Sequence, residues 1–296
     1  MKNKIEKNMH WFFIAPALLI ISVFSILPIF VAIGVSFTNM NLRGLLNPAL
    51  VQFVGFDNYV ALFNNANFLQ ALSNTVFYVV IGVPLVVLLS MTVALLLDYG
   101  SGRLFVAYRA LFYMPSVTTS VAIAVVFGFL YNTQHGLFNY LLSLVGHEGI
   151  NWLNDAFTAR ISLIIMAVWR GLGINMIIFL VALQSIPRDY YEAAELDGAT
   201  KLQKLLHIKI PLLGFATFFV SITTLIGWFQ FFEEPFIMTS GGPMGGTNSI
   251  ALFIYNTGFG VNQFGFAAAG SVILFLIILT ATLINFSMRK KSNSLI

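Results

Sequence analysis

The segment PRDYYEAAELDGATKLQKLLHIKIP, Pro187 to Pro211, holds eight of the chain's 26 formal charges. They are Arg188, Asp189, Glu192, Glu195, Asp197, Lys201, Lys204 and Lys209. Apolar runs of spanning length flank it on both sides, so this polar insert lies outside hydrocarbon. Its pattern predicts two short helices. Ser185 can cap the first and Pro187 suits its opening turn, with Asp189 and Glu192 near the positive helix end. Asp197-Gly198 breaks it, since glycine tolerates the positive φ of a sharp turn. Lys201, Leu202, Lys204, Leu205 and Leu206 read as a second, amphipathic helix, and Pro211 marks the return to the membrane. An interfacial helix on lipid is the plainer alternative. Anionic headgroups would repel Glu192, Glu195 and Asp197, so a protein partner fits better.

The bulk composition agrees with a membrane setting. Of 296 residues, 58% are hydrophobic and only 9% charged, with a mean hydropathy of +0.88. Soluble domains carry about 25% charged residues, so this chain cannot clothe a water-facing surface. The net charge of +4 sits at the ends of apolar runs and calls for no nucleic acid. The chain has no cysteine, which excludes disulfides, thiolate metal sites and thiol catalysis.

Six segments are apolar enough to span: 11–37, 71–97, 108–131, 161–184, 211–238 and 265–288. The first is longer than the roughly 7–15-residue core of a signal peptide and reads as an uncleaved span. Pro16, Pro28, Gly82, Pro84 and Pro115 interrupt the spans, which favours a bundle with internal polar space. With the N-terminus inside, twelve of fifteen Lys and Arg residues fall on the cytoplasmic side. Both termini and the 187–211 segment are then cytoplasmic. The expected organisation is a tail at 1–10, one membrane domain over 11–288 and a tail at 289–296. Of the outer segments, 38–70 predicts a short surface helix, and the glycines and Pro243 of TSGGPMGGT (239–247) forbid a regular one.

Enzyme chemistry finds no footing. His10, His135, His147 and His207 form no i,i+4 pair, and neither a nucleophile elbow nor a P-loop is present. His135, His147 and Glu148 read as a solvated loop rather than a metal site. Any nucleotide hydrolysis belongs to another chain, and no cofactor is implied. The apolar centres of spans one, two, three and six contain no carboxylate relay of the kind a proton-coupled carrier uses. Arg170 lies mid-span, where a cation costs about 2.5–3.5 kcal/mol on insertion scales; it reads either as a snorkelling or structurally paired group or as a polar patch on the translocation path, and the pairing to test is with Glu233 or Glu234.

At the opening segment the chain resembles a known family. Glu192-Ala193-Ala194, Asp197-Gly198-Ala199, Ile208 and Pro211 match the EAA motif of permeases in ATP-binding-cassette importers. VGFDNYVALF (54–63), Asn74-Thr75, RALFYMP (109–115), Leu183-Gln184-x-Ile186-Pro187 and Thr239-x-Gly241-Gly242-Pro243 resemble the carbohydrate-uptake branch, of maltose and glycerol-phosphate type. The resemblance covers nearly the whole chain. It departs at Leu205, where the family usually has an aromatic, and in lacking a second proline soon after Pro211.

The resemblance implies an all-α, polytopic membrane protein: a type I importer permease core of six transmembrane helices with a cytoplasmic coupling helix. It implies a second homologous permease, two ATPase subunits and an extracytoplasmic solute-binding protein as partners in a bacterial cytoplasmic membrane. The cargo would be a sugar or oligosaccharide; the alternatives are glycerol phosphate esters or another small polar solute, and then a stand-alone secondary carrier. Glu192 and Gly198 would carry coupling. The substrate path would use Trp169, Arg170, Gly171, Ile174 and Asn175 on one side of the segment, and Thr224, Gly227, Trp228, Gln230 and Phe231 on the other. Aromatic faces with a few polar groups suit a sugar, although ordinary packing explains many aromatics in a chain with 30 Phe.

Overall fold

The structure, a computed structural model, describes residues 2–100 and 102–293, with side chains for 11, 13–100 and 102–288. The side chains of the expected tails, 1–10 and 289–296, lie outside that description. Helices build the chain, and an isolated Thr38–Phe53 bridge is the only strand-like pairing among the described residues. Two compact units result: Met1–Ala66 with Phe253–Leu276, and Asn67–Leu252 with Ile277–Ile296.

Four helices are long and apolar enough to cross a membrane: Phe13–Ser36, Ala66–Asp98, Ala156–Gln184 and Phe264–Met288. Two further pairs pass the same test together but are sharply bent, and the described residues hold up to six spans if each pair is one. Arg103–Val117 and Ser120–Leu130 meet at 98°, and Lys201–Leu212 and Gly214–Phe229 at 56°. The segments expected to span at 108–131 and 211–238 are thus bent pairs, and the second starts earlier, at Lys201, and ends at Phe229. In the first pair, Thr118 and Thr119 are both extended, and the Thr119 hydroxyl accepts the Ala122 N–H as an N-cap. In the second, Pro211 contributes no backbone donor and Leu213 leaves helical geometry at ψ −2°. That helix ends at Phe229, and Glu233–Thr239 is a separate short helix.

In the first unit, the residues around VGFDNYVALF secure the end of the Phe13–Ser36 span. Asn58 Nδ2 donates to the carbonyls of Ser36 and Thr38 at 2.8 and 2.9 Å. Tyr59 and Ser36 share a 2.6 Å hydroxyl contact, and Phe37 packs among Phe53, Phe56 and Tyr59. Gly265 meets this corner so closely that a Cβ there would strike the Thr38 carbonyl.

The second unit carries the larger core. One cluster gathers Leu97, Met176, Phe179, Leu213 and Val220, and another Tyr78, Val86, Leu163, Trp228 and Phe231. Gly173 permits a close helix crossing: a Cβ there would meet the Phe112 carbonyl and Tyr113 Cα. At the start of Ala156–Gln184, Asp155 accepts the N–H groups of Thr158 and Phe157. Chiefly the Thr158 N–H holds its carboxyl below the usual range. The cap therefore helps the fold above the unfolded carboxyl's pKa and is lost as pH falls through the lowered one.

The glycine-rich run is tied down by one helix face. Gln70 Nε2 donates to the Met244 carbonyl at 3.0 Å, and Asn74 Nδ2 to those of Gly245 and Asn248 at 2.9 Å each. The Tyr78 hydroxyl donates to the Thr247 carbonyl, and Thr75 Oγ1 accepts the Ile250 N–H. Positions 70, 74, 75 and 78 share a face by the helical period, so one stripe satisfies groups that the run's own turns, such as Gly246 N–H to the Pro243 carbonyl, leave over. Asn74→Ala is expected to remove the partner of two half-buried carbonyls at about 1 kcal/mol, read as a lowered Tm in detergent, whereas Val76→Ala on the exposed side should leave Tm nearly unchanged.

Candidate functional site

Two features of the second unit answer to the sequence expectations: the polar 187–211 segment and a cavity beside Arg170. In the segment, Arg188–Leu196 is helical, and its end is a complete Schellman closure. Gly198 has φ +74° and donates to the Glu195 carbonyl, while Ala199 N–H bonds the Ala194 carbonyl at 2.8 Å. Thr200 then opens the next helix with a reciprocal capping box to Gln203. Lys204 Nζ lies 2.6 Å from Glu195 Oε1 and staples the two arms.

The expected cap is corrected. Ser185 closes the preceding helix, donating to the Ala182 carbonyl, and Pro187 occupies the N-cap position without a side-chain cap. The second helix is also not an isolated short piece. It runs on from Lys201 through a π-helical turn at Leu205–Lys209 to Leu212, past Pro211.

Glu192, Ala193, Asp197 and Gly198 are exposed; Ala194, Ala199 and Ile208 are half-buried, and Pro211 is exposed. The apolar side chains Leu196, Leu202 and Leu206 face outward, Leu196 at 91% exposure. An outward apolar row between charged residues is the composition of a docking surface. The capping box and the Glu195–Lys204 staple escaped the sequence reading. T-x-x-Q at 200–203 was a usable signal for the first; the second needed the turn angle.

The cavity, about 390 Å³, is lined by eight of the ten expected path residues: Arg170, Gly171, Ile174, Asn175, Thr224, Gly227, Trp228 and Phe231. Trp169 and Gln230 are not among them. Trp169 is turned about 100° from Arg170 by the helical period and faces a separate apolar groove, its ring 5.4 Å from that of Phe127. Gln230 is the exposed C-cap of its helix. Val86, Ala167, Ile178, Phe219, Thr223 and Glu234 complete the lining. Spacing on the two helices, 167-170-171-174-178 and 219-223-224-227-228, was a legible signal for four of these six. Val86 arrives from another helix.

Trp228 and Phe231 stack at 5.1 Å and 11°. Trp228 also packs against Gly82, where any Cβ would overlap the indole. Core packing and cavity lining are thus both true of this ring. Thr224 Oγ1 is buried without a hydrogen-bond partner, and Asn175 Nδ2 bonds the Gly171 carbonyl at 2.8 Å.

One cation beside the cavity faces two carboxylates. Arg170 Nη2 lies 2.7 Å from Glu234 Oε1 and Nη1 lies 3.4 Å from Glu233 Oε2. The Glu234 contact is close in distance but is not aligned as a hydrogen bond. Glu234 is 3% exposed at its side chain, Arg170 32% and Glu233 54%. The pairing expected from the sequence is present with both carboxylates.

Ser116, which the sequence did not single out, holds this turn. Its hydroxyl donates to the Arg170 carbonyl at 2.8 Å and accepts the Ile174 N–H at 3.2 Å. Those two groups would bond each other in a regular helix, so a side-chain oxygen sits in the ladder. Among the described residues no three His, Asp or Glu side chains gather to ligate a metal.

With this geometry in hand, the comparisons are direct. Residues 58–292 match the family described as "Binding-protein-dependent transport system inner membrane component". A probable ABC transporter permease protein of Bacillus subtilis, YurN, is 34% identical over 96% of this chain and 97% of its own length. The lactose transport system permease LacF of Rhizobium radiobacter is 34% identical over 93% and 92%. A permease chain in the crystal structure of a bacterial alginate ABC transporter superposes with a TM-score of 0.81 at 20% identity, covering 98% of this chain and 97% of that one. The chain is a polytopic, all-α membrane protein with the fold of ABC importer permeases. It belongs to the family of inner-membrane components of binding-protein-dependent transport systems.

Removing Arg170 leaves Glu234 buried without its cation. Arg170→Met is expected to lower stability by about 1–3 kcal/mol, and Arg170→Met with Glu234→Gln to recover most of that loss in the same thermal-unfolding assay. If Arg170→Glu combined with Glu234→Arg, or with Glu233→Arg, restores none of the transport lost in the single variants, the pair has no functional weight.

Proposed function

We propose that this chain is the permease subunit of an importer that carries a sugar or oligosaccharide inward, driven by ATP hydrolysis on separate subunits. The observation that carries the reading is the folded form of the 187–211 segment. Its two arms are capped, stapled and turned at Gly198, yet Leu196, Leu202 and Leu206 face outward. Such a rigid, exposed apolar element suits a groove on an ATPase partner. Glu192 and Gly198 are the coupling residues in this scheme, with Ala193, Ala194, Asp197, Ala199, Ile208 and Pro211 completing the element. The Lys and Arg distribution supports cytoplasmic termini and a cytoplasmic coupling element.

A second, homologous permease would close the cavity, and ATP-driven approach of two coupling elements would turn it outward. Stacked Trp228 and Phe231, with Asn175, Thr224 and the Arg170 pair, present an apolar face and a few polar groups to the cargo. The lactose permease among the relatives supports a carbohydrate.

The test is ATPase stimulation of the reconstituted complex by solute-binding protein loaded across a panel of sugars. At least one carbohydrate is expected to stimulate; silence across the panel sinks the sugar assignment and spares the fold. In the same complex, Glu192→Lys or Gly198→Pro should leave assembly intact and cut solute uptake per ATP. Normal uptake in both would remove coupling from this segment.

A further inference from the structure

At the lower end of the Ala66–Asp98 helix, two cations from other helices converge on one helix terminus. Lys209 is 8% exposed, an unusual burial for a lysine, and its Nζ lies 2.6 Å from Asp98 Oδ2. The same ammonium stands 4.4 Å from the ring centroid of Tyr99 and 5.9 Å from that of Tyr191. Arg109 Nη2 donates to the Leu97 carbonyl at 3.4 Å. The last carbonyls of a helix carry partial negative charge, and Asp98 adds a full one. Lys209 answers both, with aromatic faces in place of water around it. Lys209 also closes the π-helical turn Leu205–Lys209, a form that concentrates at functional sites.

The connections matter more than the pair itself. Tyr191 belongs to the Arg188–Leu196 arm, Lys209 to the continuation of the second arm, and Asp98 to the helix that carries Val86 into the cavity wall. That same helix places Gly82 against Trp228. Resting on the coupling role proposed for the segment, we propose that Lys209 is a positioning residue. Its ion pair with Asp98 joins the segment rigidly to the cavity-wall helix, so that movement of one displaces the other.

The chain lacks cysteine, which makes a paired-label measurement clean. Tyr190→Cys and Thr92→Cys place spin labels on the first arm, outside the Leu196, Leu202 and Leu206 row, and on the cavity-wall helix. In the full reconstituted complex, their separation is expected to be the same in the nucleotide-free and vanadate-trapped states. In Lys209→Met it should broaden and become state-dependent. With the panel sugar that the wild-type complex takes up as probe, Lys209→Met and Asp98→Asn should keep ATPase activity. Both should lower uptake per ATP by about fivefold or more, the lower range of measured site couplings. Lys209→Arg should keep the ratio, and Lys209→Asp with Asp98→Lys should regain much of it.

A parallel fall of ATPase and uptake at constant ratio makes the pair merely structural and overturns the proposal. So does a wild-type label separation that changes between states. Gly198→Pro, run alongside, separates the two readings. If it uncouples while Lys209→Met does not, the joint fails and the coupling segment stands. If neither uncouples, the segment's role fails and the joint with it.

Discussion

A polar backbone group buried in an apolar surround has to find a partner, and that constraint shapes every irregular part of this protein. The chain breaks its helices at Thr118–Thr119 and Leu213, and it runs without regular structure from Ser240 to Ser249. Where a departure frees N–H and carbonyl groups, lipid cannot satisfy them. Side chains recapture them: the Thr119 hydroxyl at one break, Ser116 within the Arg170 turn, and Asn74, Thr75 and Tyr78 along the glycine-rich run. The polar side chains at these positions are thus the hydrogen-bonding side of the chain's broken geometry.

The same economy governs charge. Arg170, Glu233 and Glu234 sit amid apolar helices and hold one another; Lys209 holds Asp98. A buried ion pair is weak evidence of stability, because desolvation offsets much of its attraction. It is strong evidence of position, because removing one partner strands the other. Both pairs fasten helices that border the cavity or adjoin the 187–211 segment.

Much was legible before any coordinates. Charge density isolated 187–211, Gly198 marked its turn, and Arg170 announced a partner because an isolated cation in a span is costly. What escaped has a common cause. Ser116 and Val86 come from helices far from the Arg170 stretch in sequence, and no local pattern reports which distant helix crosses it. Asn74 and the glycine-rich run were each noticed as marks of a family, but their mutual bond spans about 170 residues. Trp169 was misplaced for a simpler reason: one residue along a helix is a different face.

The sequence by itself determined that this is a helical membrane protein with a polar element turned at Gly198. Composition, periodicity and glycine's tolerance of positive φ are local properties, readable residue by residue. Only the tertiary structure decided that the segment's second arm runs on through a π turn to Leu212 and meets the following helix at a 56° bend. It also set Lys209 against Asp98, and bent the third span by 98°. Those outcomes depend on which backbone groups and charges meet across helices, and that is settled by packing rather than by pattern.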